Sequence, residues 1–390
     1  MEQHAANIRA ARTESVDLLH ASRRVLAEAI VADRDLPPFP RSARDGFAVR
    51  AADVAMVPAR LTNVGEIRAG VDVSGITIGA GECIEIMTGA AVPNGADAVV
   101  MVEHTFRMHQ DVEVQSAVES GANVVPRGSE AKAGQELLKP GMRLTPAAIA
   151  AAASVGFAQM KVYAQPRVAI LSTGDEIVGV KDAPLAHQIR NSNTWSLTAQ
   201  VQNAGALPIP LPVAPDEPKA LRALVEAGLD SDLLLLTGGV SMGKYDLVEL
   251  VLRELGAEFI FTGAQIQPGK PIVFGRVGSK YFFGLPGNPV STMVTFELFA
   301  RPMIDALSGA TPVPMRFVQA RLKSDIKTKT GLTRFLPAEL SGEFSQTEVE
   351  LVRWQGSGDF MSAARANCFA VIPPDREVIE AGEMMSVIPI

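Results

Sequence analysis

The sequence is poor in the residues that build several common kinds of site. Only two of its 390 residues are cysteine, Cys83 and Cys368. Two cysteines so far apart make neither a metal knuckle nor a disulfide framework, and a reduced compartment is the simpler expectation. Aromatic residues amount to 5%, too few for rows of rings that stack single-stranded nucleic acid. Positive charge is not in excess. The formal net charge of -7 argues against a broad surface for DNA or RNA, though not against a local site for a small anion. The five histidines, at 4, 20, 104, 109 and 187, have no metal-ligand spacing, and neither a Gly-x-Ser-x-Gly elbow nor a Gly-Lys-Ser/Thr phosphate loop is present. No uncharged apolar run reaches about 18 residues, so no transmembrane helix is expected. The N-terminal segment, with Glu2, His4 and Arg9, has no apolar signal core. The expected location is the cytoplasm, with neither nucleic acid nor membrane as a partner.

What is there implies a multidomain α/β plus β protein, because 390 residues exceed one ordinary core. The apolar spacing of Val16, Leu19, Leu26 and Ile30 predicts a helix from Thr13 to Ile30,. A second helix is predicted from Thr145 to Gly156, with Thr145 as its cap and Pro146 in its first turn. Between them lie short Val/Ile-rich pieces such as Gly81 to Met87 and Ala98 to Glu103, separated by turn residues. They read as a β insertion (36–138) in an elongated helical piece (1–35 with 139–165). From 166 to 312 strands alternate with helices: Val168–Leu171, a helix near Asn193–Asn203, Leu207–Leu211, a helix near Glu217–Ala227, Leu233–Leu236, and helices near Asp246–Leu255 and Val290–Ile304. This alternation means a parallel sheet covered on both faces, a three-layer α/β domain. Residues 313–390 read as a C-terminal β barrel or sandwich.

Ligands of such sheets sit at the carboxyl ends of the strands. After Leu171 comes Ser172-Thr173-Gly174-Asp175-Glu176, whose carboxylates suit Mg²⁺, or equally cap a helix. After Leu236 comes Thr237-Gly238-Gly239-Val240-Ser241, a backbone nest for an oxyanion, although paired glycines also make ordinary tight turns. Asp216 follows the Leu207–Leu211 strand and Asp246 follows the Gly-Gly loop. Gln267-Pro268-Gly269-Lys270-Pro271 carries a point-charge donor. Gly284-Leu285-Pro286-Gly287-Asn288-Pro289-Val290-Ser291 opens a helix, so its N–H groups are a further anion site.

These strings resemble, in order, those of the molybdopterin molybdenumtransferase (MoeA-type) family, to which the gephyrin E domain belongs. Ser42-Ala43-Arg44-Asp45-Gly46-Phe47-Ala48 resembles Ser-Ala-Met-Asp-Gly-Tyr-Ala, and Thr88-Gly89-Ala90 before Pro93 resembles Thr-Gly-Ala-x-x-Pro. The Ser-Thr-Gly-Asp-Glu, Gly-Gly-Val-Ser, Pro-Gly-Lys-Pro and Gly-Leu-Pro-Gly-Asn-Pro-Val-Ser strings also match, as does Gln355-Gly356-Ser357-Gly358 near the C-terminus. The resemblance covers nearly the whole chain. It implies four domains, and a homodimer whose site lies between the α/β domain of one chain and the last domain of the other. The implied reaction converts adenylyl-molybdopterin and molybdate, with Mg²⁺, to molybdenum cofactor and AMP. Neighbouring cofactor-pathway enzymes are natural further partners.

Carried over residue by residue, the resemblance makes Asp45, Thr88, Glu176, Asp216, Asp246 and Lys270 catalytic, with Asp216, Asp246 and Glu176 holding the metal. Arg127, Glu130, Gly238, Gly239, Ser241, Pro286, Gly287, Ser291, Arg334 and Ser357 are the substrate-binding set. Glu130 stands where the family has Asp. Family lysines upstream of Pro-Gly-Lys-Pro correspond to Gly263 and Gln267. A family arginine corresponds to Leu332, with Arg334 as its displaced substitute. These losses make a non-inserting paralogue that binds pterin or a protein one alternative. The molybdopterin adenylyltransferase step, which uses the same type of α/β domain, is the other.

Overall fold

The computed structural model of the chain describes residues 4, 8, 12–239 and 247–390. Its centre is a six-stranded sheet with Leu207–Pro210 at one edge, followed by Arg167–Ser172, Leu233–Thr237, Lys280–Leu285, Val273–Val277 and Ala257–Phe261. The first four strands run parallel. Val273–Val277 runs against them, pairing antiparallel with both Lys280–Leu285 and Ala257–Phe261, a departure from the all-parallel expectation. The cause is the two-residue link between Val277 and Lys280, which permits a hairpin but no crossover.

The side-chain period of two splits this sheet's core into two layers. Val168, Ile170, Leu233 and Leu235 join Leu197, Val201, Phe296 and Ile304 on one face. Ala169, Leu171, Leu234 and Leu236 join Leu221, Val225, Val248 and Leu252 on the other. The covering helices are Asn193–Asn203, Pro218–Leu229 and Leu247–Glu254, with Pro289–Thr295 continuing through a π turn, Phe296–Ala300, into Arg301–Leu307. Glu217 caps the Pro218 helix by accepting from the N–H groups of Lys219 and Ala220, which leaves Asp216 just outside it.

The helix predicted from Thr13 to Ile30 is not formed. Thr13–Asp17 is instead a strand, paired antiparallel with Gln159–Tyr163, and a short 3-10 turn, Leu18–His20, follows. Leu26 and Ile30 are buried as the helical spacing required, but Leu19 is 87% exposed. A partner strand far along the chain overrides the local period. The helix Pro146–Ser154, capped by the Thr145 hydroxyl, packs Ala148 and Ala152 onto the same core as Leu26, Ile30, Met160 and Val162.

The insertion is a second six-stranded sheet with apolar clusters on both faces. In the C-terminal domain, Val318–Leu322, Thr333–Glu343, Gln346–Leu351, Cys368–Ile372 and Met384–Pro389 close into a five-stranded barrel through the pairing of Thr333–Glu343 with Cys368–Ile372. The barrel packs on the α/β domain through Ile266, Val290, Val294, Phe335, Phe369 and Ile388. No helix among the described residues is long and apolar enough to cross a membrane.

Candidate active site

The three central parallel strands deliver three loops to one mouth. Thr173 N–H donates to Thr237 O at 3.0 Å, and Gly174 N–H to Ala214 O at 3.2 Å. These bonds extend the sheet ladder past the strand ends and hold the loops in register. Gly238 and Gly239 have φ of 86° and 60°, the left-handed region that glycine enters without penalty. A Cβ on Gly238 would lie 2.4 Å from Thr173 O, and one on Gly287 would lie 3.4 Å from Gly238 Cα. The Gly-Gly loop is therefore in backbone contact with both neighbouring loops.

The acids gather on the adjacent loops. Asp175 and Asp216 are both exposed, and Asp175 Oδ1 accepts the Asp216 main-chain N–H at 3.0 Å. Glu176 folds its carboxylate back over Gly174, where an added Cβ would meet Oε2 at 2.5 Å. Exposed oxygen donors of this kind suit Mg²⁺, which keeps several waters and binds through one or two carboxylates plus phosphate oxygens. No group of three or more acidic, histidine or cysteine side chains arranged for a metal occurs among the described residues. Asp246 and Ser241, two of the expected site residues, lie outside them.

The opposite wall is the loop into the Pro289 helix. Pro286 is buried and its carbonyl accepts from the Thr292 hydroxyl at 2.5 Å. Ser291 is also buried, its carbonyl accepting from Thr295 at 2.8 Å. Ser357 of the C-terminal domain meets this loop within the same chain. Its carbonyl accepts Val290 N–H at 3.0 Å and its hydroxyl accepts from Asn288 Nδ2 at 2.8 Å.

Three family models match consecutive stretches of the chain. The MoeA N-terminal region (domain I and II) matches residues 1–156, the probable molybdopterin binding domain 169–306, and the MoeA C-terminal region (domain IV) 319–390. A molybdopterin molybdenumtransferase of Bacillus subtilis (strain 168) is 36% identical, covering 96% of this chain and 89% of the relative. One from Haemophilus influenzae is 34% identical, covering 97% and 94%. The crystal structure of a molybdopterin biosynthesis MoeA protein from Pyrococcus horikoshii OT3 superposes with a TM-score of 0.80 at 30% identity, covering 100% of this chain and 98% of that one. The chain belongs to the molybdopterin molybdenumtransferase family.

Two places where this molybdopterin molybdenumtransferase family member departs from the family strings lie side by side. Gln267 and Arg334 are register partners where Ile266–Gln267 pairs in parallel with Thr333–Arg334. Arg334 is only 8% exposed. It donates to the carbonyls of Lys329 and, at 3.2 Å, Leu332, so part of its fork secures its own loop. Lys270 is exposed, and its carbonyl is held by Ala264 N–H at 3.0 Å.

The remaining expected residues lie on or beside the insertion, each with a partner. Asp45 Oδ1 accepts from Thr88, bringing two expected residues together. Arg127 pairs with Asp35 at 2.7 Å, and Glu130 with Arg41 at 3.0 Å. The Asp35 carboxyl is held below its ordinary range, first by the Ala133 N–H and then by Arg127. Asp35 and Arg41 carried no motif, and only the fold reveals them. Asn193 was likewise unmarked, yet it ties two loops of the mouth.

Proposed function

We propose that the chain inserts molybdate into adenylyl-molybdopterin and releases AMP, in a Mg²⁺-dependent reaction. The observation that carries this reading is the placement of Asp175 and Asp216, joined at 3.0 Å, on strand-end loops beside the Gly238–Gly239 cradle. Main-chain N–H groups in such a nest receive phosphate oxygens. Asp216 and Glu176, with Asp246 from the segment outside the described residues, are the residues that would hold Mg²⁺. When bound, the ion supplies neutralisation of charge on the phosphate oxygens of the leaving AMP. Lys270 and Ser357 hold anionic oxygens of the substrates at the opposite wall. In a homodimer the last domain of a second copy completes the site, and Asp45 and Thr88 are further functional positions. A cytoplasmic location and contact with other enzymes of the same pathway complete the proposal.

A second reading is favoured by Gly263, Gln267 and Leu332. With three cations missing, the chain binds the adenylylated pterin without inserting metal. Each charged hydrogen bond to molybdate forgone costs about 1.5–3 kcal/mol. Mixing the purified protein with adenylyl-molybdopterin, Mg²⁺ and molybdate separates the two. Molybdate-dependent AMP release with active cofactor supports insertion, and tight binding without release supports the paralogue.

A further inference from the structure

The helix Asn193–Asn203 begins beside the mouth, and its first residue faces inward. Asn193 is only 8% exposed. Its Nδ2 donates to Gly287 O at 2.7 Å and to Thr237 Oγ1 at 3.0 Å. One acceptor ends the Leu233–Thr237 strand, immediately before Gly238. The other belongs to the loop that touches Gly238 from the far side. The orientation of the amide is fixed, because a carbonyl such as Gly287 O can only accept. Among the described residues, Asn193 Oδ1 is consequently left buried without a partner. Buried polar atoms are nearly always paired, and one that is not calls for a reason. Turning the amide to satisfy Oδ1 would set it against Gly287 O and break the tie.

Seven residues on, the same helix repeats the arrangement. Gln200 Nε2 donates to Met293 O at 3.2 Å and Glu297 Oε1 at 2.9 Å, and its Oε1 is also buried and, among the described residues, unpaired. Two carboxamides thus grip the Pro289 helix, one at the loop that precedes it and one where the π turn Phe296–Ala300 begins.

We propose that Asn193 is a positioning residue for this site: its carboxamide fixes the Pro286–Gly287 loop against the Gly238–Gly239 loop and so sets the width of the anion-binding mouth. Its effect on turnover rests on the reaction proposed above, whereas the tie itself does not.

The decisive variant is Asn193→Asp, which keeps size and shape but turns an acceptor toward Gly287 O. A carboxylate buried against Gly287 O costs stability, so the thermal midpoint should fall, and both readouts are taken at a temperature well below it. Amide hydrogen exchange at Thr173, Val290 and Thr292, whose N–H groups are bonded to Thr237 O, Ser357 O and Asn288 O across and within these loops, should accelerate about tenfold in the ligand-free protein, a loosening worth about 1.4 kcal/mol. Exchange in the Pro218–Leu229 helix should not change. The kcat/KM for adenylyl-molybdopterin should fall about a hundredfold, the scale of a small misplacement. It should recover in part on acidification, because a protonated carboxyl regains a donor for Gly287 O. Wild-type exchange in the variant, or faster exchange with unchanged kcat/KM, overturns the proposal. Should Asn193→Asp fail to fold, Asn193→Ala serves the same two readouts. If wild type does not turn over adenylyl-molybdopterin, the proposed reaction fails while exchange still decides the tie.

Discussion

Thr88 donates twice to one oxygen of Asp45, at 2.6 Å from its main-chain N–H and 2.8 Å from its hydroxyl. The carboxyl is thereby held below its ordinary range, chiefly by the main-chain donor and then by the hydroxyl. A depressed folded-state value means that the folded protein resists protonation at this group. The stabilisation is complete above about pH 4, where the unfolded-state carboxyl titrates, and is lost as the pH falls through the folded-state value. Thr88→Val removes only the lesser donor. The Asp45 titration, followed by carboxyl-carbon NMR, should therefore move part of the way up towards its ordinary value. An unmoved titration would show that the hydroxyl contributes nothing.

Asp216 is exposed, and its main-chain N–H supplies the bond to Asp175. Asp216→Ala keeps that N–H, so unfolding free energy should stay within about 0.5 kcal/mol of wild type. Metal-dependent AMP release should fall by about a hundredfold or more, as for the loss of one charge-stabilising group. A folded variant with near-normal release removes Asp216 from the site.

Gly238→Ala meets two obstacles, a φ of 86° and a Cβ placed 2.4 Å from Thr173 O. The left-handed backbone alone costs about 1–2 kcal/mol in an alanine, and the contact adds to it. Urea unfolding should register a loss at least that large, together with weaker binding of the adenylylated pterin. Wild-type values for both would mean that the cradle tolerates a side chain.

Gly263 has room for a longer residue, since its added Cβ would only touch Lys270 O at 3.4 Å. Gln267 is exposed. Gly263→Lys combined with Gln267→Lys should lower the molybdate KM by about tenfold, the equivalent of roughly one charged hydrogen bond. An unchanged KM would place the molybdate oxygens elsewhere.

Burial pushes the Cys83 thiol up to about 12 and the Cys368 thiol up to about 11. Both should therefore remain protonated and unreactive towards thiol reagents at pH 8 while the protein is folded. Denaturation should release two reactive thiols. Rapid labelling of the native protein would contradict the burial of one or both.

The α/β domain was the most legible part of the sequence. The leucine run of 233–236 is apolar on both sheet faces, as a central parallel strand must be, and the Asn193–Asn203 helix appears where it was expected. Thr13–Ile30 misled because Val16, Leu26 and Ile30 satisfy a helical period while the pairing of Thr13–Asp17 with Gln159–Tyr163 is invisible locally. The candidate site divides in the same way. Its glycines and acids stand in strings that mark themselves. Asp35, Arg41 and Asn193 act through partners distant in sequence, at Arg127, Glu130 and Gly287, and no local pattern announces such contacts. Ser241 and Asp246 lie outside the described residues.

The chain leaves for the insertion and returns from it at adjacent points, since Leu36 bridges Ala131 and its N–H donates to Ala131 O at 2.7 Å. The whole module is thus grafted on through a single narrow neck. A short glycine-containing link across Leu36 and Ala131 should excise it and leave the piece built on the Thr13–Asp17 and Gln159–Tyr163 strands and the Pro146–Ser154 helix, and the α/β domain, able to fold. Such a minimal chain would retain the strand-end mouth but lose Asp45 and Thr88, separating capture of a phosphate-bearing ligand from whatever the insertion adds.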